Sequence, residues 1–227
     1  MLHLLSVVSL IVAGLCAVGI ALDISRRPQP MSVMNLVWPI TALYFGPIAV
    51  WAYLQFGRAR KGPAMPHKEG GHQEKEKPVT WNQVALATSH CGAGCTIADV
   101  LTEFTLFGLG VTLLGSKLWA SFAWDLAAAW LLGVIIQYFS IKPMRNLSVK
   151  EGIVAAVKAD TLSILAFQVG MYAWMALVYF KLFPSPHLEP IQPEYWLMMQ
   201  IGMICGFLTS YPMNRWLVEA GLKEKMG

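Results

Sequence analysis

From Leu2 to Leu22 the chain runs without a single Asp, Glu, Lys or Arg. That length suffices to cross the hydrocarbon of a bilayer as one helix, which needs about 20 residues. Five further apolar stretches follow, from about Met34 to Phe56, Asn82 to Gly115, Leu118 to Ser140, Gly152 to Phe183 and Glu194 to Val218. Lipid offers the backbone no hydrogen bonds, so each segment must satisfy its own as a helix. The expected fold is all-α: a polytopic transmembrane helical bundle of about six spans. Composition agrees, because 56% hydrophobic and 13% charged residues with a mean hydropathy of +0.52 are outside the range of a soluble domain. The formal charge of +4 requires no nucleic acid, since basic cytoplasmic loops give the same sign. The lipid bilayer is the expected partner.

The first stretch lacks the positive start of a secretory signal. Gly19-Ile20-Ala21 resembles a cleavage site only loosely, and bulky Leu15 before Cys16 does not suit a lipoprotein, so it reads as a retained span. Pro39 and Pro47 should bend the second span. Residues 1–56 thus form two N-terminal transmembrane helices, and residues 57–81 a polar cytoplasmic linker rich in Lys, Glu and Gly, whose His67 and His72 read as solvated. Residues 82–227 form a four-helix transmembrane core. Of the 17 Lys and Arg, only Arg26, Arg27, Lys117 and Lys181 fall opposite the linker, with Lys158 in a span. The charge bias therefore puts both termini in the cytoplasm of a multi-pass protein of a bacterial inner membrane.

Within the third span lies Thr88-Ser89-His90-Cys91-Gly92-Ala93-Gly94-Cys95-Thr96-Ile97-Ala98-Asp99, followed by Glu103. Residues four apart share a helix face, so Cys91, Cys95, Asp99 and Glu103 form one stripe, with His90 one residue off it. Ionisable groups inside a membrane are expensive and mark ion paths or relays. Gly92 and Gly94 remove side chains beside the thiols, permitting close helix approach or a break in the helix.

Soft thiolates favour Cu(I), and nearby imidazole and carboxylate admit Zn(II). The metal reading thus takes Cys91, Cys95, His90 and Asp99 as ligands. Glu103, Asp125 and Asp160 serve as a proton or cation relay, accepting the protons that thiol ligation releases. Met171, Met175, Met199 and Met203 lie at helical spacing as a secondary soft-metal or pore-lining set, although such methionines fill cores as readily. Lys158 and Arg215 form an inner charged cluster beside Asp160. Gly202 and Gly206 offer a small-residue face for a second copy of the chain.

The segment Ser89 to Cys95 with Asp99, and the closing Tyr211-Pro212-Met213-Asn214-Arg215-Trp216-Leu217, resemble an uncharacterised family of bacterial integral membrane proteins known as a domain of unknown function. The resemblance runs from Asn82 to the carboxyl end and implies no activity.

Two other functions compete with binding, transport or sensing of a soft metal. One is a thiol-disulfide redox protein, which helical geometry disfavours: Cβ atoms four residues apart are about 5–6 Å from each other and a disulfide needs about 3.5–4.5 Å. The other is a proton or cation channel, or a structural subunit of a membrane complex. No nucleophilic triad, phosphate-binding loop or zinc-protease helix is found, so an enzyme is the weaker expectation. Cys16 and Cys205 read as small apolar packing residues.

Overall fold

The computed structural model describes residues 1–59, 78–145 and 148–223, with only the backbone for 139–145. His67 and His72 lie outside the described residues. The elements are α1 (Leu2–Arg26), α2 (Met34–Phe45), α3 (Pro47–Ala52) running into a π turn (Tyr53–Gly57), α4 (Trp81–Leu109), α5 (Lys117–Arg145), α6 (Val149–Leu177) running into a π turn (Val178–Leu182), and α7 (Pro193–Glu219). No strand occurs among the described residues beyond an isolated bridge between Leu113 and Ser116.

Local chemistry sets the helix ends. At Thr80 the backbone N–H donates to Gln83 Oε1 at 3.2 Å, and at Ser148 the N–H donates to Glu151 Oε2 at 3.1 Å while Ser148 Oγ accepts from the Glu151 N–H. Each side chain satisfies a backbone donor that the first helical turn leaves free. α4 stops at Gly110, whose left-handed φ of 63° only glycine adopts without strain. The expectation of a third span reaching Gly115 is therefore shortened.

The second expected span is broken rather than bent. Pro39 stays inside α2, but Gly46 takes φ 54° and ψ −127°, and Pro47 starts a new helix. Among the described residues, four helical stretches suit a membrane crossing by length and composition: Leu2–Arg26, Trp81–Leu109, Lys117–Tyr138 and Val149–Leu182.

The bundle is built inside out. Val100, Leu101, Phe104, Trp124, Trp130, Leu131, Val169 and Leu208 face outward, whereas His90, Asp99, Asp125, Gln137, Asp160, Gln168 and Asn214 are buried. That is the distribution expected when lipid, not water, surrounds the helices. α4 is the central helix: 78% of its most apolar window is buried, against 22% for α1 and 28% for α5.

Small residues set the spacing. A Cβ on Gly94 would lie 3.6 Å from the Gly133 Cα of α5, and one on Gly92 would lie 2.7 Å from the Tyr44 hydroxyl. α4 passes through both glycines unbroken, so their role is close approach. Gly202 and Gly206 do the same between α7 and α6, where a Cβ on Gly206 would come within 2.6 Å of the Phe167 ring. This corrects the expectation of a face for a second copy, because α6 of the same chain occupies it.

Candidate functional site

The buried polar groups fall into two clusters with the thiols between them. At the end where α4 stops and α5 begins, a cavity of about 80 Å³ opens among α4, α5, α6 and the loop before α7. Lys117 Nζ and Glu189 Oε1, 3.0 Å apart, both line it and are exposed. Phe122 stacks on Tyr172 at 4.0 Å between centroids to form one wall, fixed by the Tyr172 hydroxyl donating to the Phe122 carbonyl at 2.7 Å.

Glu103 and Asp125 line the same cavity from opposite helices. Ser121 and Tyr195 line the cavity with them, and the Thr102 hydroxyl donates to Asp125. A carboxyl group can accept and release a proton, so two of them on one cavity make a proton-binding unit. One turn along α4 is Asp99, 1% exposed. Neither of its oxygens has a hydrogen-bond partner.

Another turn along the same face are Cys95 and then Cys91, both free and buried. They sit in one apolar core with Tyr44, Ala98, Phe167, Met171, Met175, Met199 and Met203. The four methionines singled out in the sequence are thus core residues, and Met171, Met175 and Met199 also line the cavity.

Toward the opposite end His90 is buried with both ring nitrogens unpartnered. The charges of the second cluster, Lys223 and Asp160, act on it from that end. There Lys223 Nζ donates to Asp160 Oδ1 at 3.2 Å and to Ser163 Oγ at 3.3 Å. Both charged side chains are 0% exposed. Ser163 donates to Asn214 Oδ1 at 3.0 Å, and Asn214 Nδ2 donates to Ser210 Oγ at 2.8 Å. Asp160 Oδ2 is left over, close to Gly133, where a Cβ would come within 2.5 Å of it.

The stripe of Cys91, Cys95, Asp99 and Glu103 is thus buried along its length, joined at its end by Asp125. Asp160 is separated from those acids by its pairing to a lysine. Lys158 is exposed and Arg215 pairs with Glu219 at 2.8 Å on the surface, so neither contributes the cation expected beside Asp160. The residue that does, Lys223, lies beyond the end of α7, among the basic residues that the charge count puts on the cytoplasmic side. Its signal was the company of Ser163, Ser210 and Asn214, an array of small polar groups facing a buried acid.

Among the described residues no group of three or more His, Cys, Asp and Glu side chains is disposed to hold an ion. A family model described as a domain of unknown function (DUF4396) matches residues 80–223, more than half of the chain. No curated protein and no solved structure matches it.

Proposed function

The chain belongs to the DUF4396 family, and since that description carries no activity we propose a function from the buried chemistry: transfer of a cation, in its simplest form a proton, along the interior of the bundle. One observation carries the reading. Glu103, Asp125, Asp99, Cys95, Cys91 and His90 form a file of buried titratable groups on and beside a single helix, and several of their polar atoms have no partner in the protein.

A buried polar group without a hydrogen bond costs about 1–3 kcal/mol. Packing alone does not explain keeping several of them on one face in an otherwise apolar bundle. The file begins at a cavity open beside Lys117 and Glu189, passes the Glu103 and Asp125 pair, and continues one turn at a time. Steps of one helical turn are about 5.4 Å, a distance that one bridging water spans. The orientation expected from the basic residues would make the cavity the non-cytoplasmic mouth. Asp160 with Lys223 is then a neutralised pin that holds α6 against the chain end, beside the path but not in it.

Reconstitution tests this. Vesicles holding the protein and a pH-sensitive dye, given an imposed membrane potential, are expected to change internal pH faster than protein-free vesicles. Equal rates with the protein inserted would remove the proposal.

The two free, buried thiols one helical turn apart favour a second reading, a soft metal ion as the cation. Cys91 and Cys95 would hold it, with Met171 or Met203 of the same core as a thioether. Cu(I), content with few soft ligands, fits this better than Zn(II), which takes four. Protein purified with Cu(I) should lose it on combined Cys91→Ser and Cys95→Ser substitution, and retention would exclude the reading.

A further inference from the structure

The two halves of the second apolar stretch do not continue in one direction. Trp38, in the second turn of α2, meets the Tyr53 ring edge-on with centroids 5.4 Å apart, and a Cβ on Gly57 would fall 2.2 Å from the same Trp38 ring. Along one continuous helix Trp38 and Gly57 would be separated by about 28 Å. The chain has therefore doubled back, and Gly46, with φ 54° and ψ −127°, is where it turns.

Both ends of this hairpin lie against the closing turns of α1. Asp23 accepts from the Tyr53 hydroxyl at 2.9 Å and from Arg58 Nε and Nη2 at 2.9 and 2.7 Å, which ties down the returning end. The starting end lies beside it. Asn35 Oδ1 accepts from the Gln29 N–H at 2.8 Å, and Ile20 and Ile24 share one core with Met34, Val37 and Trp38. Phe56 also meets Trp81, the first residue of α4, edge-on at 4.9 Å.

The tip stops at mid-depth. Phe45 packs on Phe207, midway along α7, at 5.0 Å between centroids, and Tyr44 joins the core of Cys91 and Cys95, midway along α4. Irregular backbone is tolerated within a membrane only where protein satisfies and covers it. Gly46 is buried, its N–H donates to the Ala42 carbonyl at 2.9 Å, and its own carbonyl accepts from the Ala49 N–H at 3.1 Å. Beyond the tip an apolar cavity of about 160 Å³ remains among Leu43, Tyr44, α1, α4 and α7, in the space that a complete crossing would fill.

α1 also runs the same way as α7. His3 Nδ1 lies 2.8 Å from Glu194 Oε1, and Ser9 Oγ donates to Gln200 Oε1 at 2.8 Å, with a separation of 191 residues in both contacts. α4 runs the opposite way, because the Tyr211 hydroxyl, late in α7, donates to the carbonyl of Trp81 at 3.2 Å. Six crossings would make the first and last helices antiparallel.

We propose that residues 34–57 form a re-entrant hairpin that enters and leaves the membrane on the side where α4 begins. The described chain then crosses five times, in α1, α4, α5, α6 and α7, and the His3 end of α1 lies on the side of the cavity mouth at Lys117 and Glu189. Charge supports this placement. Arg26 and Arg27, which stand against the charge bias in a six-span chain, join Arg58, Lys150, Arg215 and Lys223 on the cytoplasmic side and leave Lys117 and Lys181 opposite. The placement holds whether or not a cation moves along α4.

The test puts single cysteines into the full chain in intact bacterial cells and reads their reaction with a membrane-impermeant maleimide. The native thiols lie within α1, α4 and α7, so the unaltered chain is the blank. Thr112→Cys, after α4, and Lys150→Cys, at the start of α6, mark the outer and inner sides. Leu2→Cys is expected to label from outside like Thr112→Cys, and Ser32→Cys, between α1 and α2, only after permeabilisation, like Lys150→Cys. Leu2→Cys behaving like Lys150→Cys, or Ser32→Cys like Thr112→Cys, would overturn the proposal. A second measurement treats the Asp23→Cys, Arg58→Cys protein in membranes with a short bifunctional thiol cross-linker and reads linked peptides by mass spectrometry. Linkage is expected to be at least tenfold above that of Asp23→Cys with Thr112→Cys, and equal yields would likewise overturn the hairpin.

Discussion

Asp99 and Asp160 are two buried aspartates on neighbouring helices, and the protein treats them in opposite ways. Asp160 has Lys223 at 3.2 Å, with Ser163 on the same ammonium group, both charges 0% exposed. Asp99 has no hydrogen-bond partner, and the acid one turn along its helix, Glu103, lines a cavity together with another acid, Asp125. A buried charge that meets its counter-ion inside the protein is a structural element. One that does not must meet a proton, a metal or a ligand from elsewhere. Burial alone therefore does not identify the functional acid, and the presence of an internal counter-ion separates the two cases.

This contrast can be broken most forcefully at Lys223. Lys223→Met leaves Asp160 buried and unpaired, and removing one partner of such a pair costs about 3–5 kcal/mol. Unfolding in mixed micelles should show that loss, and the further change Asp160→Asn should recover most of it. A single substitution without measurable effect would make the pair incidental.

Gly206→Val ranks next, because a Cβ would lie 2.6 Å from the Phe167 ring and 2.8 Å from its carbonyl oxygen. Overpacking of this kind costs about 1–3 kcal/mol. The same unfolding measurement tests whether the α6 and α7 contact that supports Asp160 is as tight as described. Asp99→Asn, by contrast, should change stability by no more than about 1 kcal/mol, since no internal hydrogen bond or counter-ion is lost. A loss as large as that for Lys223→Met would mean that Asp99 is structural too.

Lys117→Gln at the cavity mouth should have the smallest effect. It removes an exposed pair with Glu189, and such pairs contribute less than about 1 kcal/mol. A larger loss would mean that the mouth helps to hold the acid cluster together.

Much of the acid-bearing side was legible in the sequence, for a reason specific to helices. Residues at intervals of four share a face wherever the helix is continuous, so Cys91, Cys95, Asp99 and Glu103 could be aligned without knowing what packs against them. Asp125 was recoverable because a lone acid in an apolar span has few places to go. The Asp160 side was not legible in the same way. Lys223 reaches its partner through a turn at Gly221, φ 69°, with the Lys223 N–H donating to the Leu217 carbonyl at 3.1 Å. Helical periodicity does not announce that the chain turns back at Lys223. Gly202 and Gly206 were correctly read as a close-packing face, but periodicity does not say which helix fills it.

The most direct measurement of the central claim compares two altered proteins in one vesicle flux assay. Asp99→Asn is expected to abolish the protein-dependent pH change, while the doubly neutralised Asp160→Asn, Lys223→Met protein, once shown to be folded, should retain it. Loss of flux in the double variant with retention in Asp99→Asn would contradict the account and move the functional acid to the other end of the bundle.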